Sequence, residues 1–119
     1  MEKFLKGFGF AFKGLNYAVK TQLNFKVHTF LAVVIVCLGW YYKLKSTEWL
    51  WIALTISLVL IIELINTAIE VLTDLVSPNY HIKAGIVKDV SAAAVLIAAL
   101  FAIAVGLIIL IPKIFENAS

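Results

Sequence analysis

Residues 90–111 carry only one polar side chain, that of Ser91. A helix needs about 20 predominantly apolar residues to cross the hydrocarbon core of a bilayer. Residues 25–42 and 49–76 are two further segments of sufficient length in which apolar residues predominate. The backbone of a segment in hydrocarbon must satisfy its own hydrogen bonds, as an α-helix does. The chain is therefore predicted to be an all-α integral membrane protein with three transmembrane helices.

The composition supports a membrane protein and argues against a nucleic-acid-binding domain. Hydrophobic residues make up 63% of the 119 residues and charged residues only 14%, far from the composition of a soluble domain. The net charge is +3. In so apolar a chain, the excess of lysine serves membrane topology and contacts with lipid headgroups. We expect a single membrane domain over residues 1–119 and no nucleic-acid partner.

Residues 1–22 are predicted to form an amphipathic helix on the membrane surface. Phenylalanines recur on one side of this helix and lysines on the other, a pattern typical of interfacial helices. The apolar side is formed by Phe4, Phe8, Ala11, Phe12, Leu15 and Val19, and the basic side by Lys6, Lys13 and Lys20. Phe10 and Tyr17 are exceptions, because they project on the basic side, where they are available to protein or a ligand.

The distribution of lysines predicts the orientation of the chain. On one side of the predicted spans lie Lys3, Lys6, Lys13, Lys20, Lys26, Lys83 and Lys88, and on the other Lys43, Lys45 and Lys113. Positively charged residues are enriched in cytoplasmic loops. We therefore expect the N-terminus and the loop between the second and third spans to be cytoplasmic.

The second span contains a stripe of polar residues. At about 100° per residue, the side chains of Asn66, Thr67, Glu70 and Asp74 all point within about 60° of the direction of Glu63. Ionisable groups in a membrane segment are costly, so they indicate a functional site by default. A purely structural role is the alternative for Glu63, which could form an ion pair or an interhelical hydrogen bond. Asp74 is equally well explained as a solvated carboxylate.

Depth in the membrane divides this stripe. Measured from Trp51, Glu63 lies about 18 Å along the helix and Glu70 about 28 Å, against a hydrocarbon thickness of about 30 Å. Glu63 is therefore expected inside the cytoplasmic half of the membrane, and Glu70 and Asp74 at its cytoplasmic interface.

Small residues recur every four positions along the third span, at Ala94, Ala98, Ala102 and Gly106. Such a seam allows close approach between helices in lipid. The sequence leaves open whether the seam packs within one protomer or between protomers. Three helices offer little interior to shelter three acids, which favours an oligomer. Ser91, near the start of this span, is expected to bond to its own helix.

The cytoplasmic loop holds a second polar set, composed of Asn79, Tyr80, His81, Lys83, Lys88 and Asp89. Closing the hairpin between the second and third spans brings this set to Glu70 and Asp74. Mg²⁺ with a nucleotide suits such a site, since Mg²⁺ takes one or two carboxylates plus phosphate oxygens and lysine supplies charge to phosphate. Glu63, which lies deeper, can take a proton from a lipid hydroxyl. No P-loop or soluble-kinase glycine motif is present.

The run from Glu63 to Asp74, with the pattern E-x-x-N-[ST]-A-I-E-x-x-x-D, is similar to that of the bacterial diacylglycerol kinase family, which includes undecaprenol kinases. The resemblance is collinear from about Phe10 onward. It implies a homotrimer in the bacterial inner membrane, with three spans and a surface helix. It also implies MgATP-dependent phosphorylation of diacylglycerol or undecaprenol at sites shared between protomers.

By position, the resemblance implies a role for each polar residue. Glu63 matches the general base that also binds substrate, Asn66 the neighbour of the acceptor hydroxyl, and Glu70 a metal ligand. The residues that match ATP-contacting positions are Phe10, Tyr80, His81, Lys88 and Asp89, together with Glu70 through the metal. Gln22 is a departure, because the family usually has a second metal-binding glutamate there and glutamine offers only a neutral oxygen.

Two other functions remain open from the sequence. Intramembrane carboxylates also serve ion pathways, so a small oligomeric transporter or proton-coupled channel is an alternative. Gln22 keeps open a non-catalytic descendant of the family. His28, near the start of the first span, is interpreted as an interfacial or hydrogen-bonding residue rather than a catalyst.

Overall fold

The computed structural model describes the backbone of residues 1–118 and the side chains of residues 1–116. This part of the chain forms four helices, which are α1 (Glu2–Thr21), α2 (Leu23–Tyr41), α3 (Ser46–Val76) and α4 (Ile82–Ala118). Three are long and apolar enough to cross a membrane, namely α2, α3 and α4 over Ile82–Glu116. The predicted all-α architecture of three spans and an N-terminal helix is confirmed.

The last helix extends beyond the predicted span at both ends. It begins at Ile82, well before the apolar run, and it continues through Pro112, which the sequence placed just after the span. A proline removes one backbone hydrogen bond of the helix but does not have to end it when neighbouring groups hold the next turn. The residue after Pro112 is held to α3 by an ion pair, since Nζ of Lys113 lies 3.1 Å from Oε1 of Glu48.

Helix α1 presents an exposed apolar face. The rings of Phe4 and Phe8 pack edge to face at 5.2 Å, and only Ala18 of this helix is buried. Gln22 alone separates α1 from α2, in an extended conformation with φ −108° and ψ 108°. An exposed apolar face is the property expected of a helix that lies on a membrane.

The corner between α2 and α3 is tight. Lys43 adopts the left-handed conformation with φ 55°. Its N–H donates to the Trp40 carbonyl, and the N–H of Leu44 donates to the Gly39 carbonyl, the two bonds of a Schellman motif. A Cβ at Gly39 would lie 2.7 Å from the Trp49 ring, so only glycine allows this approach. The corner therefore fixes α2 against the start of α3.

The centre of the fold is α3, which packs most extensively against α4 and less against α2. Its buried face is mainly apolar in the first half and polar in the second, and consists of Ile52, Thr55, Val59, Glu63, Asn66 and Thr67. The facing residues of α4 are Ser91, Val95, Ala98 and Leu110, all buried. The polar part of both faces lies at the end where α2 begins and α3 finishes, which we call the site end.

Contacts between α2 and α4 are sparse, and an apolar groove of about 370 Å³ runs between them with α3 as its floor. We call it the α2–α4 groove; its lining includes His28, Ile35, Thr55, Ala102, Gly106 and Leu110. The small residues of α4 do not all pack in the same way. Ala98 packs within the chain, whereas a methyl group added at Gly106 would meet nothing within 4 Å among the described residues.

Gly39→Ala is expected to lower the free energy of unfolding by about 1–3 kcal/mol, because the added methyl overpacks against Trp49. Gly14→Ala is the matched control, since a methyl there meets nothing within 4 Å and alanine favours a helix by about 1 kcal/mol. The measurement is unfolding by SDS in mixed micelles. Equal stabilities for the two variants would contradict the tight corner.

Candidate active site

The most buried large side chain at the site end is that of Glu63, which is 1% exposed. Its position on the inner face of α3 follows from the helical spacing of the polar stripe. Its Oε1 makes no hydrogen bond within the described residues. The imidazole of His28 lies beside it, with Nε2 3.3 Å from that oxygen but without the alignment of a hydrogen bond. The structure thus places a carboxylate with an unpartnered oxygen inside a membrane span.

A chain of hydrogen bonds lies one turn further along α3. Ser91 of α4 donates from its Oγ to Oδ1 of Asn66 at 2.6 Å, and Nδ2 of Asn66 donates to Oε1 of Glu70 at 3.2 Å. The ionised carboxylate only accepts hydrogen bonds, so the amide nitrogen of Asn66 must face it. This chain fixes the orientation of both Asn66 and Glu70.

Ser91 is the site residue whose contact was missed by sequence reasoning. It was expected to bond to its own helix, but its hydroxyl crosses to α3. The available signal was that Ser91 is the only polar side chain in residues 90–111. A lone hydroxyl in a membrane helix gains from a polar partner on a neighbouring helix.

At the end of the stripe, Asp74 is paired rather than merely solvated. Nζ of Lys88 on α4 donates to Oδ1 of Asp74, and the two side chains remain 42% and 66% exposed. An exposed pair of this kind contributes about 0–1 kcal/mol to stability. Its charges are therefore available to exchange partners.

The remaining candidate residues lie on the surface of the site end. Tyr80 is 90% exposed and Phe10 is 67% exposed, and Asp89 is also exposed. Nδ1 of His81 accepts a hydrogen bond from the N–H of Lys83, so His81 caps the start of α4. Within the described residues, the side chains of Tyr80 and Asp89 make no hydrogen bond or ion pair.

The site residues thus fall into two groups. The structure brings Glu63, Asn66 and Glu70 together with Ser91 and His28 in one buried cluster. Burial then decreases along α3, from 1% exposure at Glu63 and 6% at Asn66 to a half-buried Glu70. The sequence-predicted positions Phe10, Tyr80 and Asp89 stay outside this cluster.

The carboxylates of the site fit a metal that arrives with a nucleotide. The described residues contain no group of three histidine, cysteine, aspartate or glutamate side chains placed to hold a metal ion. Mg²⁺ commonly takes one or two carboxylates and completes its coordination with water and phosphate oxygens. Glu70 is half-buried and faces the solvent-accessible part of the stripe, and Gln22 adds a neutral amide at the junction of α1 and α2.

Comparison with known proteins identifies a family and several similar sequences. The sequence profile of the family described as prokaryotic diacylglycerol kinase matches residues 9–110. A diacylglycerol kinase of Synechocystis is 42% identical over 113 residues, which are 94% of this chain and 65% of that protein. The chain therefore spans about two thirds of the length of this relative.

Two further relatives are matched over most of their length. An undecaprenol kinase of Bacillus subtilis is 34% identical over 114 residues, which cover 96% of this chain and 93% of the relative. A diacylglycerol kinase of Escherichia coli is 37% identical over 111 residues, which cover 91% of this chain and 88% of the relative. The matches include all four helices.

Ser91→Ala is expected to lower the free energy of unfolding by about 1–3 kcal/mol, because it leaves Oδ1 of Asn66 buried without its donor. Thr55→Val is the matched control. It also removes a buried hydroxyl, but that hydroxyl bonds to the Ile52 carbonyl of its own helix, so the expected change is below about 1 kcal/mol. Unfolding by SDS in mixed micelles measures both, and equal losses would contradict the importance of the interhelical bond.

Proposed function

The chain belongs to the prokaryotic diacylglycerol kinase family, a family of membrane lipid kinases, and we propose that it transfers the γ-phosphoryl group of ATP to the hydroxyl of a lipid alcohol. The observation that carries the proposal is the unpartnered Oε1 of Glu63 inside a membrane span. A lipid substrate keeps its chains in the membrane, so its hydroxyl needs a base at membrane depth.

Glu63 is the general base of the proposed reaction. Its carboxylate takes the proton of the lipid hydroxyl as the hydroxyl oxygen forms a bond to the γ-phosphorus. The bond between that phosphorus and the bridging oxygen of ATP breaks, and ADP leaves. Phosphoryl transfer depends mainly on alignment and charge stabilisation, so the protein contributes fixed positions. The burial of Glu63 limits the access of water to its carboxylate.

Asn66 and Glu70 connect the lipid side of the site to the nucleotide side. The hydrogen bond from Ser91 holds the Asn66 amide, and that amide holds one oxygen of Glu70. Asn66 lies one turn from Glu63, where it is placed to orient the acceptor hydroxyl. The other oxygen of Glu70 is left for Mg²⁺, which supplies neutralisation of the phosphate charge when bound.

The nucleotide binds, in this proposal, at the exposed part of the site end. Lys88 exchanges Asp74 for a phosphate oxygen of ATP, because a charge-assisted bond to a multiply charged anion is the stronger of the two. Phe10, Tyr80, His81 and Asp89 contact the remainder of the nucleotide. The amide oxygen of Gln22 replaces the usual second carboxylate, so we expect weaker binding of the metal.

The active assembly is proposed to be a homotrimer in the bacterial inner membrane, with the N-terminus and the site end facing the cytoplasm. Two observations support an assembly. Phe10 and Tyr80 are exposed in the single chain, and Gly106 has open space beside it. A neighbouring protomer supplies contacts of both kinds. The lysine distribution supports the orientation.

The acceptor lipid is diacylglycerol, giving phosphatidic acid, or undecaprenol, giving undecaprenyl phosphate. Both activities occur in the names of similar proteins. The experiment that tests the proposal is the transfer of labelled γ-phosphate from MgATP to each lipid, side by side, with purified protein in micelles. Failure to label either lipid would overturn the proposed function.

Glu63→Gln is expected to lower kcat by about 10²- to 10⁴-fold, because it removes the general base. Glu70→Gln is expected chiefly to raise the concentrations of MgATP needed for half-maximal rate. Glu48→Gln is the control, since it makes the same change on the same helix at the opposite end of the bundle. Kinetics in mixed micelles measure all three, and an undiminished kcat in Glu63→Gln would remove its assigned role.

Lys88→Gln is expected to raise KM for ATP by about 10- to 100-fold, the loss of one charged bond of about 1.5–3 kcal/mol. The lipid KM stays unchanged, because Lys88 lies at the exposed part of the site. Lys113→Gln is the control, as its partner Glu48 lies at the other end of α3. An unchanged KM for ATP in Lys88→Gln would place the nucleotide elsewhere.

A further inference from the structure

His28 has no structural bond that explains its place. It lies in the second turn of α2 with a side chain that is 22% exposed, and it makes no hydrogen bond within the described residues. The neighbouring Thr29, by contrast, donates to the Phe25 carbonyl of its own helix. The burial cost at this contact falls on Glu63, because its Oε1 is the buried atom without a hydrogen bond within the described residues. A hydrogen bond from His28 would remove that cost.

The surroundings of His28 connect two parts of the molecule. The residue lines the α2–α4 groove, and Thr55 has the only other polar side chain among the described residues of that lining. Oγ1 of Thr55 is already bonded to the Ile52 carbonyl. On its other side, Nε2 of His28 reaches to 3.3 Å from Oε1 of Glu63. His28 is therefore the polar group that stands between the groove and the base.

We propose that His28 is a positioning residue for Glu63. In the reacting state, Nε2–H of His28 donates a hydrogen bond to Oε1 of Glu63, and Oε2 is left to take the proton of the acceptor hydroxyl. This inference rests on the proposed function, since it assigns the partner of the proposed base.

The geometry needs only a small change to make this bond. The two atoms are already at 3.3 Å, and what is missing is the alignment of the N–H. Hydrogen bonds of catalytic groups are often long or poorly aligned without substrate and tighten when it binds. A base that is oriented by a third group is a recurrent arrangement, because it fixes the direction of proton transfer.

His28 does not change which bonds form and break in the phosphoryl transfer. The lipid hydroxyl gives its proton to Oε2 of Glu63, its oxygen bonds to the γ-phosphorus, and ADP leaves with the electron pair of the broken bond. His28 keeps its own proton throughout and exchanges none with the substrate. Its contribution is to hold the carboxylate in one rotamer, and misplacement of a reacting group by about 1 Å costs on the order of 10²-fold in rate.

Three substitutions of His28 test this role in the full-length protein in micelles. His28→Leu removes every donor. His28→Gln keeps an N–H at nearly the reach of Nε2, whereas the shorter His28→Asn places its amide nearer to the backbone, where Nδ1 was. Thr29→Val is the control on the same helix, since its hydroxyl donates only to the Phe25 carbonyl one turn earlier.

We expect His28→Leu to lower kcat by about 10- to 100-fold with KM for MgATP changed less than about twofold. His28→Gln should restore kcat to within about fivefold of wild type, and His28→Asn should not. A merely structural polar role would treat glutamine and asparagine alike. Thr29→Val should keep the kcat of the wild type.

Wild-type kcat in His28→Leu would overturn the proposal, and so would equal kcat in the glutamine and asparagine variants. If His28→Leu does not fold, the comparison of glutamine with asparagine decides on its own. A wild-type protein that labels no lipid would instead indicate failure of the proposed function. The two failures are therefore distinguishable in one set of assays.

Discussion

The arrangement of the helices depends on how one carboxylate in a membrane span is kept out of lipid. Glu63 is buried because α2 and α4 both pack on the face of α3 that carries it. Each of these helices brings a polar side chain to that face, His28 from α2 and Ser91 from α4. Without a polar residue in α3, no interaction would favour an inward orientation of these two side chains. The requirement to shelter an acid thus sets the rotation of its neighbours.

The helices and the stripe followed from the sequence because both are local properties. Apolar length determines where a span lies, and the helical period determines that Glu63, Asn66 and Glu70 share a face.

The bond from Ser91 to Asn66 did not follow from the sequence, since it depends on how α4 is rotated about its axis. Closing the hairpin was expected to bring the loop set to Asp74, but the sequence did not single out Lys88 as the residue that pairs with it. The passage of α4 through Pro112 did not follow either, because a proline often marks the end of a helix. The ion pair between Lys113 and Glu48 joins residues far apart in the chain and could not be read from local sequence. The roles of the candidate site residues all remain predictions, namely those of Phe10, Gln22, Glu63, Asn66, Glu70, Tyr80, His81, Lys88 and Asp89.

The site has a complete part and an incomplete part, and the difference has a physical origin. The buried cluster around Asn66 is held by hydrogen bonds within one chain. Polar groups in hydrocarbon have no water to bond with, so they need partners within the protein. The exposed residues, such as Tyr80 and Phe10, are under no such pressure, since water or headgroups satisfy them. A ligand or a second protomer can therefore determine the final positions of these side chains. Rigidity is therefore concentrated where the lipid would react, and adaptability where the soluble substrate would enter.

Because the corner at Gly39 and Lys43 fixes one end of α2, a small tilt of this helix displaces the residues at its other end. The helix is fixed at the end where Trp49 packs on Gly39, while its contacts with α4 are sparse along its length. His28 lies about 20 Å along the helix from that corner, so a tilt of about 3° displaces the imidazole by about 1 Å. Such a displacement is comparable to the tolerance for orienting a base. If Glu63 and His28 act as proposed, the orientation of the base would depend on the packing at Gly39, a residue at the far end of α2.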